Sequence, residues 1–284
     1  MKSFDETLYD AVSQRFRIDK LYFENKTDHQ HLMIFHNAML GRVMTLDGVV
    51  QTTEADEFVY HEMLTHVPLL AHGAAKSILI IGGGDGGMLR EVARHPVTRI
   101  VQVEIDASVV DMAKTWLPNH SAGAYEDPRL ELIIADGMDY VRSASETFDV
   151  IIVDSTDPIG PGEVLFSDDF YGQVKRCLAP GGIVVTQNGV PFFQPDEVTT
   201  THRRLQRHFA HTTFYCAPVP TYYGGFMAFG WASDNASLSS MSAANIAPRF
   251  AALDIDTRYY TPAIHAASFA LPAYVERALR PERE

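Results

Sequence analysis

The sequence has few cysteines and no long apolar segment. Cys177 and Cys216 are its only cysteines, too few for a disulfide framework and without the Cys-x-x-Cys spacing of a metal or redox site. The stretch from Met1 to Glu6 lacks an apolar signal core, and no run approaches the ~18 apolar residues that a membrane helix needs. We therefore expect a protein of a reducing compartment, the cytoplasm, with no membrane partner.

Basic residues are also scarce. Lysine and arginine number 23 against 36 aspartates and glutamates, which gives a formal charge of −13, and no basic cluster interrupts the acidic excess. Nucleic acid is therefore a poor partner. The charge favours a cationic small molecule only slightly, because many proteins are equally acidic.

The first fifty residues predict a small antiparallel β unit. Between about Arg15 and Gln51, short and partly alternating apolar stretches are separated by turn residues such as Asp47-Gly48. The expected strands are Arg17 to Phe23, His31 to Phe35 and Arg42 to Leu46. We assign residues 1–53 to an N-terminal β domain.

A helix is expected to open the second domain, residues 54–284. Apolar residues recur at helical spacing from Glu54 to Leu70, and Pro68 and Gly73 are expected to end the helix.

Strand and helix patterns then alternate. The expected strands are Ser77 to Ile81, Arg99 to Val103, Leu130 to Ala135, Phe148 to Val153 and Gly182 to Thr186. The expected helices are Met88 to His95, one from Ala107, Met138 to Ser143, Asp168 to Leu178 and Glu197 to Phe209. This alternation predicts an α/β fold with a doubly wound, Rossmann-like sheet. Thr213 to Trp231 could add closing antiparallel strands, and a last helical pattern runs near Ala243 to Leu253.

A glycine run and two acidic residues follow successive strands. Gly82 to Gly87 comes after the first parallel strand, where glycines let the backbone turn tightly and approach a ligand closely. Glu104 lies about 20 residues further on, where a carboxylate can accept hydrogen bonds from both ribose hydroxyls. Asp136 follows the third strand and could accept a hydrogen bond from an adenine amino group. The alternatives are that Glu104 and Asp106 merely begin a helix, and that Asp136 is a helix cap.

The charge around the glycine run favours a nucleoside without a pyrophosphate. Asp85 would repel a pyrophosphate, and no basic residue in these loops is placed to hold one. An adenosine attached to sulfur therefore fits better than NAD.

A second acidic pair follows the fourth parallel strand. Asp154 and Asp157 are three residues apart in a loop that continues to Gly162 and contains Pro158 and Pro161. Both carboxylates can face the same crevice as Asp85. The alternative is a plain turn with Asp157-Pro158 at its corner.

Taken together, these motifs resemble spermidine synthases over nearly the whole chain. The motifs are Lys26 to Gln30, Asp47 to Glu54, Tyr60-His61-Glu62, Gly82 to Gly86, Val103 to Asp106, Asp154 to Gly162 and Pro220 to Gly225. The resemblance implies a methyltransferase-type sheet and a homodimer or homotetramer. It implies transfer of an aminopropyl group from decarboxylated S-adenosylmethionine to putrescine by direct displacement, giving spermidine and 5'-methylthioadenosine. The decarboxylated donor is a co-substrate, and no cofactor or metal is expected.

The resemblance also implies the site residues. Those expected to bind the nucleoside donor are Gln30, Gly82, Asp85, Glu104, Asp136, Gly137 and Pro161, with Asp85 on the aminopropyl ammonium. Those expected to bind the diamine are Tyr60, His61, Asp85, Asp154, Ser155, Thr156, Asp157 and Tyr222. Asp154 is the expected general base. Relatives carry glutamine where this chain has His61, which leaves the role of His61 open.

Elementary chemistry agrees with these assignments. A sulfonium already activates the methylene beside it, so the acceptor amine needs only a carboxylate to take a proton and hold it in line. The rival functions are an S-adenosylmethionine methyltransferase and a binding protein without turnover. Asp85 argues against the first, because it would repel the α-carboxylate of intact S-adenosylmethionine. His61 and His66 are five apart rather than four, which argues against a zinc helix.

Overall fold

The structure, a computed structural model, describes residues 2–27, 29–156 and 160–280, with side chains for all of these except residues 160 and 161. Its strands are β1 (Lys2–Asp5), β2 (Arg15–Ile18), β3 (Lys20–Lys26), β4 (His31–Asn37), β5 (Gly41–Leu46), β6 (Val49–Thr53), β7 (Ser77–Gly82), β8 (Arg99–Glu104), β9 (Leu130–Ile134), β10 (Phe148–Asp154), β11 (Leu178–Gln187), β12 (His211–Ala217) and β13 (Met227–Ser233). Its α-helices are α1 (Glu57–His72), α2 (Gly87–Ala93), α3 (Ala107–Trp116), α4 (Pro118–Ser121), α5 (Gly137–Ser143), α6 (Asp168–Arg176), α7 (Pro195–Leu205), α8 (Ala243–Ala251), α9 (Pro262–Ser268) and α10 (Ala273–Ala278).

The N-terminal strands form two antiparallel sheets, which confirms the predicted small β unit. β1 pairs with β2, and β3 to β6 form a four-stranded meander. The stretch predicted as one strand, Arg17 to Phe23, is divided at Asp19. The Asp19 carboxylate accepts a hydrogen bond from the Ala38 N–H at 2.7 Å. On either side of this break, β2 pairs with β1 and β3 pairs with β4.

The central sheet has the predicted doubly wound, Rossmann-like topology. Its order is β12-β13-β11-β10-β7-β8-β9, with β7 to β11 parallel and β12 and β13 antiparallel at one edge. The chain adds strands on one side of β7 and then returns to add β10 on the other. The carboxyl ends of β7 and β10 therefore flank the switch point at which such sheets bind ligands.

Alternation within the strands covers both faces of the sheet. Ile78 and Ile80 of β7 pack in the core that contains α1 and α2, whereas Leu79 and Ile81 pack in the core that contains α5 and α6. Such a two-sided apolar strand is typical of a parallel sheet with helices on both faces. One expectation about α1 was wrong. Pro68 lies inside this helix, which ends at His72 and is capped, as expected, by Gly73 with a left-handed φ of 76°.

A buried carboxylate ties α1 to the C-terminal segment. Glu62 is 2% exposed, and its two oxygens accept hydrogen bonds from the N–H groups of Arg258 (2.7 Å), Tyr259 (2.9 Å) and Tyr260 (2.7 Å). We expect Glu62→Gln to lower the free energy of unfolding by about 2 kcal/mol, because the amide nitrogen must face a backbone donor. Denaturant unfolding measures this, with the half-exposed Glu276 changed to Gln as the control. Equal losses in the two variants would contradict the anchoring role.

Candidate active site

A deep cavity lies at the switch point of the central sheet. Its volume is about 370 Å³, and it is enclosed by the carboxyl ends of β7, β8 and β10 and by residues of the N-terminal sheets. The predicted residues that line it are Gln30, Tyr60, His61, Gly82, Asp85, Glu104, Asp136, Gly137, Asp154, Ser155, Thr156 and Tyr222. Asp157 and the side chain of Pro161 lie outside the described residues. Polar and ionisable groups from the N-terminal sheets and from the central sheet thus line one cavity.

The turn after β7 requires glycine. Gly82 has φ 87°, and a Cβ on it would lie 2.0 Å from the Asp154 carbonyl oxygen. The register pairs Gly82 directly with Asp154. This close approach brings the glycine turn and the end of β10 to the same wall of the cavity.

Two side chains stabilise the glycine turn by hydrogen bonds to its carbonyl oxygens. The Gln102 amide donates to the carbonyls of Gly82 at 3.0 Å and Gly83 at 2.7 Å, and the Tyr125 hydroxyl donates to that of Gly84 at 2.9 Å. Neither residue was predicted from the sequence. A glutamine in a buried strand is the one available signal, since a fully buried amide needs partners.

Glu104 reaches the cavity from the end of β8. The side chain is 7% exposed, and its Oε1 accepts from the Asp106 N–H at 3.0 Å. Burial raises the pKa of Glu104 to about 7. The helix cap at this point is Asp106, which accepts from the Ser108 N–H, so Glu104 retains acceptor capacity toward the cavity.

Asp136 and Gln30 have structural partners as well as places on the cavity wall. Asp136 caps α5 by accepting from the N–H groups of Met138 at 2.7 Å and Asp139 at 3.2 Å. The Gln30 amide donates to Asp106 at 3.2 Å. The alternative prediction, that Asp136 is a helix cap, is therefore confirmed. The same carboxylate also lines the cavity.

Asp154 is a partly buried carboxylate with a raised pKa. The Tyr60 hydroxyl donates to its Oδ1 at 2.5 Å. Burial, followed by the negative charge of Asp85, raises the pKa of Asp154 to about 6, while the charge of His61 and the Tyr60 hydrogen bond oppose the rise. A carboxylate with this pKa is mostly ionised at neutral pH and is a stronger base than an ordinary aspartate, which suits a general base.

Tyr222 and Ser155 complete this side of the cavity. The rings of Tyr60 and Tyr222 meet edge to face at 6.0 Å, and the Tyr222 hydroxyl donates to the Gln51 carbonyl. The buried Ser155 hydroxyl has no hydrogen-bond partner among the described residues. An aromatic wall with a free hydroxyl beside a carboxylate suits a cationic amine.

Asp85 faces the cavity from the glycine turn. Its Oδ1 accepts from the Gly87 N–H at 2.8 Å, and its Oδ2 lies 3.2 Å from His61 Nε2. Burial opposes its ionisation, but the charge of His61 outweighs this effect and holds the pKa of Asp85 well below its ordinary value. Asp85 therefore stays an anion.

Within residues 2–27, 29–156 and 160–280, no group of three or more histidine, cysteine, aspartate or glutamate side chains is arranged to hold a metal ion. In the same part of the chain, none of the helices combines the length and apolarity needed to cross a membrane.

Comparison with known proteins identifies this Rossmann-like protein, with its acidic cavity at the switch point, as a transferase. Residues 57–242 match the model of the spermine/spermidine synthase domain, and residues 4–54 match that of the spermidine synthase tetramerisation domain. The chain belongs to the spermine/spermidine synthase family.

Similar proteins cover the chain almost completely. Polyamine aminopropyltransferase 1 of Pseudomonas aeruginosa is 60% identical over 280 residues, 98% of each chain. The polyamine aminopropyltransferase of Escherichia fergusonii is 58% identical over 279 residues, 98% of this chain and 97% of the relative. A crystal structure of spermidine synthase with the transition state analogue AdoDATO matches with TM-score 0.93 at 36% identity, over 98% of this chain and 94% of the other. The spermidine synthase of Thermotoga maritima matches with TM-score 0.90 at 34% identity and the same coverage.

Proposed function

We propose that the protein is a spermidine synthase. It transfers the aminopropyl group of decarboxylated S-adenosylmethionine to putrescine and releases spermidine and 5'-methylthioadenosine. The observation that carries the proposal is the placement of Asp154, partly buried and hydrogen-bonded to Tyr60, in the cavity that Asp85 and Glu104 also line. The names of the relatives support the same transfer.

The donor occupies the side of the cavity formed by β7, β8 and α5. Glu104 accepts from the ribose hydroxyls, while Gln30, Asp136, Gly137 and Pro161 surround the nucleoside. Asp85 binds the ammonium of the aminopropyl group. A carboxylate that stays ionised suits this contact, and it would repel a donor that still carried its α-carboxylate.

The acceptor diamine occupies the side near Asp154. The donor needs no further activation, because a sulfonium leaves as neutral methylthioadenosine. Asp154 takes a proton from the near ammonium, and the freed nitrogen lone pair forms the new bond to carbon as the carbon–sulfur bond breaks. Tyr60 fixes the orientation of the base, and Ser155, Thr156, Asp157 and Tyr222 hold the amine in line.

We also propose the remaining features that the resemblance implies. The chain forms a homodimer or homotetramer through residues 1–53, and the match of residues 4–54 to a tetramerisation domain supports this assembly. Residues 54–284 carry the catalytic cavity. The enzyme uses no cofactor beyond its co-substrate and works in the cytoplasm.

The ionisation of Asp154 predicts the acid side of the pH profile. Because the base must be deprotonated and its pKa is raised to about 6, kcat/KM for putrescine at saturating donor should fall about tenfold per pH unit below that value. Glu104 is assigned to donor binding, so its protonation would change the affinity for the donor. A saturating donor concentration keeps this effect out of the measured pH profile. The measurement is spermidine formation against pH.

An unperturbed aspartate, with a pKa of about 3.9, would leave the rate flat down to about pH 4.5. That result, with circular dichroism showing the protein still folded, would contradict a base whose pKa is raised to about 6. Failure to form spermidine at any pH would refute the proposed function itself.

A further inference from the structure

His61 lies between two carboxylates. Its Nδ1 is 2.6 Å from Glu57 Oε2, and its Nε2 is 3.2 Å from Asp85 Oδ2. An ionised carboxylate only accepts hydrogen bonds, and a neutral imidazole carries a single N–H. Only the imidazolium, with two N–H groups, satisfies both partners.

The surroundings prevent the ring of His61 from turning away. The side chain is 3% exposed, and a Cβ on Gly87 would lie 2.2 Å from its Cε1, so the ring packs directly on the start of α2. The rings of Tyr60 and His120 contact it edge on, with centroids at 5.6 and 6.0 Å. Each ring nitrogen is therefore committed to one carboxylate.

Glu57 is fixed in turn from the side away from the cavity. Arg90 donates from one guanidinium nitrogen to Glu57 Oε2 at 2.8 Å, from Nε to Glu91 Oε1 at 2.7 Å, and from its third nitrogen to the carbonyls of Asn119 and His120. The oxygen that faces His61 is the one that Arg90 holds. This oxygen must remain an acceptor, because it meets an N–H from both sides.

The balance of charge around His61 agrees with the geometry. The titratable and charged groups that face it are Glu57 and Tyr60 of α1, Asp85 of the glycine turn, Arg90 of α2, His120 of α4 and Asp154 of β10. Burial disfavours the charge on the ring, but Asp85 and Glu57 outweigh it and raise the pKa of His61 to about 10. Burial lowers the pKa of His120, so the neighbouring ring adds no charge at neutral pH.

We propose that Glu57 is a positioning residue: it keeps His61 as an imidazolium whose Nε2–H is fixed on Asp85. The inference rests on the proposed function in one respect, since Asp85 is the carboxylate assigned to the donor ammonium. Glu57 touches neither substrate. It acts through His61, which orients Asp85 and stays out of the proton transfer.

The variant Glu57→Gln removes the negative charge of the side chain but keeps its shape. Arg90 still donates to the position of Oε2, so the amide must place its oxygen there, and Nδ1 of His61 keeps its proton. The negative charge that held the second proton is gone. When the ring of the variant deprotonates, the positive charge opposite Asp85 is lost. The single remaining N–H must then serve two acceptors, Asp85 and the new amide oxygen, so the hydrogen bond that fixes Asp85 is weakened.

The expected result is a new pH dependence of donor binding. In Glu57→Gln, KM for decarboxylated S-adenosylmethionine should rise about tenfold between about pH 7 and about pH 9, the loss of one charge-assisted hydrogen bond. The value of kcat at saturating donor should change much less. The unchanged protein should show no such rise over this range, because its His61 stays protonated.

Glu91→Gln is the matched control. Glu91 is a buried carboxylate on the other side of Arg90, within ion-pair distance of Arg94 and His66 but not of His61. Its loss perturbs the same network without touching the ring of His61. A similar pH dependence in Glu91→Gln would assign the effect to general loosening and overturn the proposal, as would a pH-independent KM in Glu57→Gln.

The protonation state is measured directly by NMR of protein carrying nitrogen-labelled histidine, with His61→Gln used to assign the signal. We expect both ring nitrogens of His61 to carry protons at about pH 8 in the unchanged protein. A neutral ring would overturn the proposal without any Glu57 variant. Since this readout needs no turnover, it stands even if the proposed aminopropyl transfer fails.

Discussion

Asp154→Asn should lower kcat for spermidine formation by about 10²- to 10⁴-fold at neutral pH, the usual contribution of a general base. The amide cannot take a proton from the diamine, but its oxygen can still accept the Tyr60 hydrogen bond. Burial of the ionised Asp154 carboxylate lowers the free energy of unfolding at neutral pH, as its raised pKa shows. The variant, which carries no charge there, should therefore be at least as stable as the unchanged protein. The measurements are steady-state kinetics and calorimetric binding of methylthioadenosine.

The control for this variant is Asp139→Asn, which removes a carboxylate that is 79% exposed. Its kinetics should match those of the unchanged protein. Near-normal turnover by Asp154→Asn at neutral pH, with methylthioadenosine still bound, would exclude Asp154 from the mechanism.

Asp85→Asn should weaken discrimination between the two possible donors. On the proposed function, the carboxylate would attract the lone ammonium of decarboxylated S-adenosylmethionine and repel the α-carboxylate of the intact compound. Truncating one partner of a buried, hydrogen-bonded charge pair costs about 2–5 kcal/mol. We therefore expect kcat/KM with the decarboxylated donor to fall at least about 30-fold, while the affinity for intact S-adenosylmethionine rises or stays the same.

Competition calorimetry with the two donors measures this ratio. The variant must first be shown to bind methylthioadenosine, which lacks the group that Asp85 contacts. If the ratio of affinities stayed the same, Asp85 would not be the residue that discriminates between the two donors by their charge. The argument against a methyltransferase would then lose its main physical support.

The sequence predicted the central sheet and the strand-end carboxylates for a physical reason. Apolar runs followed by glycine or acidic residues mark the carboxyl ends of parallel strands, and these ends meet at one edge of the sheet. Glu104 and Asp154 were found in this way. The short helices α4, α9 and α10 were not, because a few turns rich in alanine, proline or serine give no clear helical period.

The residues that support the site were missed because their roles depend on packing. Glu57 reads in the sequence as an ordinary acidic residue in the first turn of a helix. Only the approach of Arg90 on α2 and of Asp85 on the glycine turn shows what it does. Gln102 likewise stands in an apolar strand, where a buried amide signals a need for hydrogen-bond partners but does not show that these partners lie in the turn after the neighbouring strand.

For the acidic residues after β8 and β9, the sequence allowed two roles, a helix cap or a wall of the ligand site. The structure shows which residue has which role. Asp106 caps α3, which leaves Glu104 directed at the cavity. Asp136 both caps α5 and lines the cavity. An acidic residue after a parallel strand therefore has two compatible uses, because the strand end and the following helix start share the same loop.

The most direct test of the central claim is product identification by mass spectrometry. Purified protein and putrescine are incubated with decarboxylated S-adenosylmethionine in one tube and with intact S-adenosylmethionine in another. We predict spermidine and methylthioadenosine in the first tube and no product in the second. A methylated product in the second tube, with none in the first, would contradict aminopropyl transfer and identify the protein as a methyltransferase.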